Sequence, residues 1–95
     1  MALTVLWTKT AKETYLYTLE YLNEFWGLKH VNNFINRTEK ILKLISNNPL
    51  IFKSVLENSS VRKGILHQNC SFLYRVIEDR IELLVFWDTR QEPFL

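Results

Sequence analysis

The sequence is poor in the residues from which several familiar functional sites are built. Its 95 residues include one cysteine, two glycines and two prolines. The single cysteine, Cys70, cannot form an internal disulfide, and with two distant histidines it offers no zinc-ligand spacing. Two isolated glycines, Gly27 and Gly64, do not make a glycine-rich phosphate loop. We therefore expect neither a bound metal nor a cofactor.

Long apolar runs are also absent. No run approaches the ~20 residues of a membrane-spanning helix, and residues 1–7 are too short, and lack the basic flank, for a signal peptide. A hydrophobic content of 47% is enough to build a core, and a chain of this length forms one core. We expect residues 1–95 to be a single cytoplasmic domain that makes no contact with a membrane.

The net charge of +2 is unevenly distributed. Residues 28–53 carry a charge of +4, from one acidic residue, Glu39, and five basic ones: Lys29, Arg37, Lys40, Lys43 and Lys53. Such a face can attract nucleic acid through phosphate contacts, although a solvated helix face is the commoner explanation. Residues 61–95 carry equal numbers of basic and acidic residues, which argues against a broad nucleic-acid surface there.

The first half of the chain predicts a strand and two helices. Leu3–Trp7 has β-type composition. Thr10 and Glu13 fit a capping box, and apolar residues at helical spacing then predict a helix over residues 10–26 that ends at Gly27. A second apolar stripe, from Val31 to Ile45, predicts another helix before Asn47-Asn48-Pro49. So short a link predicts an antiparallel helical hairpin.

The last third predicts three strands in a meander: Val61–His67, Cys70–Ile77 and Ile81–Trp87. Alternation in the last strand places Ile81, Leu83, Val85 and Trp87 on one face and Glu82, Leu84 and Phe86 on the other. The fold class is therefore α+β: an N-terminal strand and an antiparallel helical hairpin packed on a mainly antiparallel sheet of about four strands. Helices should cover one sheet face, leaving the other partly apolar and partly cationic.

Two sets of side chains in this region are candidates for function. Arg62, Lys63, His67 and Arg90 could grip a phosphate, with His67 as the acid or base of an RNA-cleaving site, because imidazole exchanges a proton near neutral pH. Ordinary alternatives are a turn position for His67 and a cross-strand pair between Arg75 and Glu82 or Glu78. The second set consists of apolar residues in excess of what so small a domain needs for its core: Leu66, Leu73, Leu84 and Phe86. They predict a partner-binding patch, with Arg75 beside it.

The order and spacing of four segments resemble the RelE/ParE superfamily, the toxins of bacterial type II toxin–antitoxin modules. These segments are Val61–Gly64, Phe72–Val76, Ile81–Val85 and Trp87–Pro93. The resemblance implies a toxin that forms a hetero-oligomer with a cognate antitoxin. It implies one of two targets: DNA gyrase for ParE-like members, or mRNA in the ribosome for RelE-like endonucleases.

Matching the RelE-like pattern residue by residue gives an incomplete set of RNA-cleaving residues. Arg62 or Lys63 stands where a second-strand cation is expected, and Arg90 near the late arginine. The position of the third-strand arginine holds Ser71 when Tyr74 is aligned, and residues 88–95 contain no tyrosine. The departures favour a ParE-like inhibitor of gyrase. The alternatives are a RelE-like mRNA endonuclease and an inactive relic that only binds antitoxin.

Overall fold

One strand, a helical hairpin and three further strands follow one another along the chain. The computed structural model describes residues 2–55 and 60–90. Its elements are β1 (Thr4–Trp7), α1 (Lys9–Trp26), α2 (Leu28–Asn47), β2 (Val61–His67), β3 (Cys70–Ile77) and β4 (Arg80–Asp88). The element order matches the one expected from the sequence; the tail motif Gln91–Pro93 lies outside the described residues.

The N-cap of helix α1 lies two residues before the predicted one. Thr8 is the N-cap, and its hydroxyl oxygen accepts a hydrogen bond from the Ala11 N–H at 3.1 Å. The same hydroxyl donates to the Leu83 carbonyl oxygen at 2.7 Å. Thr10, the expected cap, lies inside the helix. Both threonines have suitable side chains, but only Thr8 is also held by a strand of the sheet, so the tertiary contact decides where the helix starts.

Gly27 joins the two helices. Its φ of +91° is a conformation that residues with a side chain rarely adopt, and its N–H donates to the carbonyl oxygens of Leu22 and Asn23 at 3.0 and 3.2 Å. The chain therefore reverses within one residue, and α1 and α2 pack against each other as the predicted hairpin. Within residues 2–55 and 60–90, no helix is long and apolar enough to cross a bilayer.

The four strands form one mixed sheet in the order β1-β4-β3-β2. β1 runs parallel to β4, and the other two neighbouring pairs are antiparallel. Buried side chains from both helices and from one sheet face make the core, which contains Ala11, Leu22, Val31, Phe34, Ile45, Leu66, Cys70, Phe72, Tyr74, Ile81, Leu83 and Phe86. The sheet face that carries Lys63, Leu73, Arg75, Leu84 and Trp87 points away from the helices; we call it the outer sheet face.

Strand β4 contains one extra residue, which the alternation pattern did not predict. Leu73 pairs with Val85 and Tyr74 pairs with Leu83, so Leu84 has no partner on β3. A β-bulge of this kind moves all later side chains to the opposite face. Phe86 is consequently buried, whereas Val85 and Trp87 are only half-buried. The predicted grouping of Val85 and Trp87 with Ile81 and Leu83 is therefore wrong.

The bulge is tied to α1 by a polar contact in the core. The Phe86 N–H donates to the hydroxyl oxygen of Thr14 at 2.9 Å, and that hydroxyl in turn donates to the Thr10 carbonyl oxygen at 2.7 Å. The Phe86 ring stacks on Trp7 and on Phe72, each with ring centroids 5.2 Å apart. These contacts explain why a buried threonine lies on the sheet-facing side of α1.

Candidate functional site

The structure separates the four basic residues that were candidates for an RNA-cleaving site. Arg62 and Lys63 are consecutive residues of β2, so their side chains leave opposite faces of the sheet. Arg62 is paired with buried Tyr74 across β2 and β3, and Lys63 with Leu73. His67 and Arg90 line a cleft at the other end of β2. The proposed set is therefore not gathered at one place.

The guanidinium of Arg62 is engaged with the backbone that precedes β2. Its Nη1 donates to the Phe52 carbonyl oxygen at 2.5 Å and to that of Leu50 at 3.4 Å. The hydroxyl of neighbouring Tyr74 donates to the Pro49 carbonyl oxygen at 2.8 Å. Burial raises the pKa of Tyr74, and the charge of Arg62 partly offsets this. Arg62 thus holds the segment after α2 against β2 by hydrogen bonds to its backbone.

Arg90 is engaged with a buried carboxylate. Its Nε and Nη2 donate to the two carboxylate oxygens of Asp88 at 3.0 and 2.7 Å, and the hydrogen bond to Asp88 holds the pKa of Arg90 above its ordinary value. The guanidinium also lies 5.6 Å from the ring of Trp26. Its backbone carbonyl oxygen accepts a hydrogen bond from the Tyr21 hydroxyl. Arg90 is therefore a positioned cation on the surface of α1.

A cleft of about 580 Å³ lies between the helical hairpin and the turn that joins β2 to β3. Cationic and imidazole side chains surround it, together with the indole of Trp26, and we call it the cationic cleft; these side chains are His30, Arg37, Lys40, His67 and Arg90. No carboxylate lines it within the part of the chain that the structure describes. The cleft therefore presents several positive groups without a matching acid in its wall.

Most of the cationic cleft was missed by reasoning from the sequence. Arg37 and Lys40 were seen as part of a basic segment, for which a solvated helix face was the more common explanation. Trp26 was assigned to the apolar stripe of α1, yet 48% of its surface is exposed. The available signal was the spacing of His30, Arg37 and Lys40, which puts all three on one side of α2. Nothing in the sequence indicated that the end of β2 would bring His67 there.

Leu66 and Phe86 cannot belong to an exposed partner-binding patch. Leu66 is 0% exposed and Phe86 2% exposed, so this part of the expectation is wrong. Leu66 lies on the helix-facing side of β2, and the bulge turns Phe86 inward. Leu73, Arg75 and Leu84 do lie on the outer sheet face, which is the partly apolar, partly cationic surface expected for a partner. Their role in binding remains a prediction.

Two neighbouring features of the outer sheet face affect its charge. Arg75 stands opposite Glu82 in the strand register, but the ion pair that Glu82 makes among the described residues is with Arg80, at 3.6 Å. The ammonium of Lys63 lies 5.8 Å from the centre of the Trp87 ring. Exposed Ile65 adds to the apolar surface. This face thus offers cations set among apolar side chains.

Cys70 is not a nucleophile in this fold. Burial, and then the charge of Asp88, raise the pKa of its thiol to about 12. Thiolate is the reactive form of cysteine, so the buried thiol is inert near neutral pH. Among the described residues there is also no group of three or more histidine, cysteine, aspartate or glutamate side chains placed to hold a metal.

No protein-family model matches the chain, and no curated protein matches it by sequence. Solved structures do match it in three dimensions. A chain of the chromosomal ParDE toxin–antitoxin system from P. aeruginosa is similar with a TM-score of 0.74 and 16% identity, covering 92% of this chain and 96% of that one. The chain has the fold of RelE/ParE toxins.

Two further structures have this RelE/ParE fold. The toxin–antitoxin complex RelBE2 from Mycobacterium tuberculosis contains a chain with a TM-score of 0.63 and 18% identity, covering 93% of this chain and 99% of that one. The YoeB/ParE toxin from Agrobacterium tumefaciens gives 0.65 and 12%, covering 90% and 97%. These TM-scores and coverages show a shared fold, which confirms the fold predicted from the sequence.

Proposed function

We propose that the chain is the toxin of a toxin–antitoxin pair, that it inhibits bacterial growth by acting on DNA gyrase, and that a cognate antitoxin neutralises it in the cytoplasm. The RelE/ParE fold over more than 90% of the chain supports the toxin role. The separation of Arg62 and Lys63 from His67 and Arg90 supports the gyrase target, because cleavage of RNA needs its acid, base and charge-stabilising groups around one phosphate.

The outer sheet face supports an antitoxin partner. It combines partly exposed Leu73 and Leu84 with the cations Lys63 and Arg75. An amphipathic segment laid across these side chains would bury apolar surface and pair its acidic groups with the two cations. The proposed complex is a hetero-oligomer in which the antitoxin covers this face.

Growth under controlled expression tests the toxin role. The coding sequence is placed under a tightly repressed promoter in a bacterium, and viable cells are counted after induction, alone and with the neighbouring reading frame co-expressed. We expect a loss of viable cells that the neighbour reverses. A frame-shifted version, which makes the same RNA but not the chain, is the matched control. Unchanged growth together with binding to the neighbour's product would identify an inactive relic.

An mRNA endonuclease is the second candidate, and one observation favours it. His67 and Arg90 line the same cleft, and His30 adds a second imidazole there. Two imidazoles can serve as base and acid in turn. Cleavage of mRNA in a translating extract, lost in His67→Ala and retained in Arg62→Ala, would support this second function over action on gyrase.

A further inference from the structure

We propose that the cationic cleft is a binding site for a nucleoside phosphate, either a free nucleotide or one unit of a single strand. Its volume of about 580 Å³ lies in the range of roughly 300–1,000 Å³ that is typical of small-molecule sites. The phosphate would lie among Arg37, Lys40 and His67, and the base against Trp26. The chain would bind this ligand whether or not it acts on gyrase.

The charges of the cleft favour an anion. The guanidinium of Arg37 is anchored by its Nε, which donates to the Leu66 carbonyl oxygen, so its two terminal nitrogens can still donate to a ligand. Lys40 is exposed on the same side of α2. Arg90 is paired with Asp88, whereas the described wall of the cleft contains no carboxylate to neutralise Arg37 and Lys40.

The hydrogen bonding of His67 fits a phosphate oxygen. Its Nδ1 accepts from the Asn69 N–H at 3.3 Å. A neutral imidazole that accepts at Nδ1 carries its proton at Nε2, so His67 donates from Nε2 in both its neutral and its charged form. Arg37 and Lys40 on α2, and His67 at the end of β2, therefore offer donors from two sides of the cleft.

Trp26 distinguishes a nucleoside phosphate from a purely acidic ligand. Its indole is half-exposed at the cleft and lies beside His30, with ring centroids 5.7 Å apart. Exposed aromatic rings next to cations are the usual platform for nucleobases, because every base has a face that can stack. Asn33 and Asn36 add amides that can bond to base edges. The guanidinium of Arg90 lies 5.6 Å from the centre of the same ring, so a base would stack on the part of the indole that is still exposed. An acidic peptide would pair with the cations and leave that exposed part uncovered.

The test titrates the folded chain with adenosine 5′-monophosphate, adenosine, inorganic phosphate, a single strand of about eight nucleotides and a polyglutamate peptide. Binding is followed by amide chemical shifts. We expect the nucleotide or the strand to bind more tightly than adenosine, phosphate or polyglutamate, with shifts that cluster at Trp26, Arg37 and His67. If the nucleotide and the strand both bind, a free nucleotide is one source of the ligand. If only the strand binds, the ligand is nucleic acid.

Four single-residue variants locate the site. Two change residues that line the cleft: Lys40→Ala should weaken binding about tenfold, and Trp26→Leu, which removes the stacking surface, should weaken it by a similar factor. Lys12→Ala, on exposed α1 outside the cleft, should leave binding unchanged. Lys43→Ala, one turn beyond Lys40 and also outside the cleft, should matter only for the strand.

Three results would overturn the proposal. The first is no binding of the nucleotide or the strand to a chain that is folded by its amide spectrum. The second is an equal loss of affinity in Lys12→Ala and Lys40→Ala, which would mean attraction to net charge alone. The third is tighter binding of polyglutamate than of any nucleotide, which would make the cleft a site for an acidic partner segment.

Discussion

Arg90 and Asp88 form a two-pronged ion pair at the end of β4, with Nη2–Oδ2 and Nε–Oδ1 distances of 2.7 and 3.0 Å. The carboxylate of Asp88 has no solvent exposure, whereas 31% of the Arg90 side chain is exposed. The backbone N–H of Arg90 donates to the same carboxylate at 2.8 Å. Arg90 therefore neutralises a buried carboxylate that has no other ionic partner among residues 2–55 and 60–90.

Arg90→Ala should lower the free energy of unfolding by about 2 kcal/mol, because it leaves the buried carboxylate of Asp88 without its cation. Urea-induced unfolding at neutral pH measures this. The exposed arginine of β3 provides the control, and Arg75→Ala should change stability by less than about 0.5 kcal/mol. Equal effects of the two variants would show that the ion pair has no structural role.

Gly64→Ala should destabilise the sheet. A Cβ at Gly64 would overlap the ring of Phe72, the residue opposite it on β3. Overpacking of this kind costs about 1–3 kcal/mol, which a shift in the thermal unfolding midpoint would show. Phe72→Leu alone should also destabilise the core, but the double variant should lose less than the sum of the two single losses, since the smaller side chain leaves room for a methyl group. Strictly additive losses in the double variant would contradict this account of Gly64.

Arg62→Ala should lower stability by about 1–2 kcal/mol through loss of the hydrogen bonds to the Phe52 and Leu50 carbonyl oxygens. Arg62→Lys should recover little of it, because an ammonium lacks the planar fork of donors. Lys63→Ala, at the next position but on the opposite face, should cost at most about 0.5–1 kcal/mol. Growth inhibition by Arg62→Ala should follow its stability, so a complete loss of toxicity in a fully folded variant would argue for a catalytic role.

Alkaline pH should destabilise the fold through Cys70. Its pKa is raised from 9.0 to about 12, so the folded state holds the thiol proton where the unfolded state has lost it. The resulting stability is present below pH 9 and is lost as the pH rises toward 12. Tyr15 and Tyr74, whose pKa values burial also raises, act in the same direction.

Unfolding midpoints at about pH 8 and about pH 10 measure this effect. The wild-type midpoint should fall between the two, and Cys70→Ala should show a smaller fall from a lower starting value. A thiol reagent should leave the native protein unmodified at about pH 8 and label it fully in urea. Rapid labelling of the native protein would show that Cys70 is accessible and ionised.

Elements that depend on local pattern could be predicted from the sequence, and features that depend on tertiary contact could not. The bounds of β2 and β3, the hairpin at Gly27 and the fold class follow from periodicity and turn residues. Thr8 replaces Thr10 as the cap because β4 supplies a partner for its hydroxyl.

The candidate site was the less predictable part, for two reasons. The extra residue at Leu84 moves the side chains in the last third of β4 to the opposite sheet face. A pattern of alternating apolar residues cannot show where such a bulge lies. Spacing along α2 groups His30, Arg37 and Lys40, but the cationic cleft also needs His67 from β2, and no local pattern predicts that contact. His67 and Arg90 were expected in one catalytic set with Arg62 and Lys63; the structure places the first two on the cationic cleft and the other two elsewhere.

Supercoiling of a relaxed plasmid by purified gyrase, with increasing amounts of the purified chain, tests the proposed action most directly. We expect supercoiling to fall as the chain is added and to be restored when its antitoxin is present, while mRNA in a translating extract stays intact. Unchanged supercoiling together with cleaved mRNA would contradict the account.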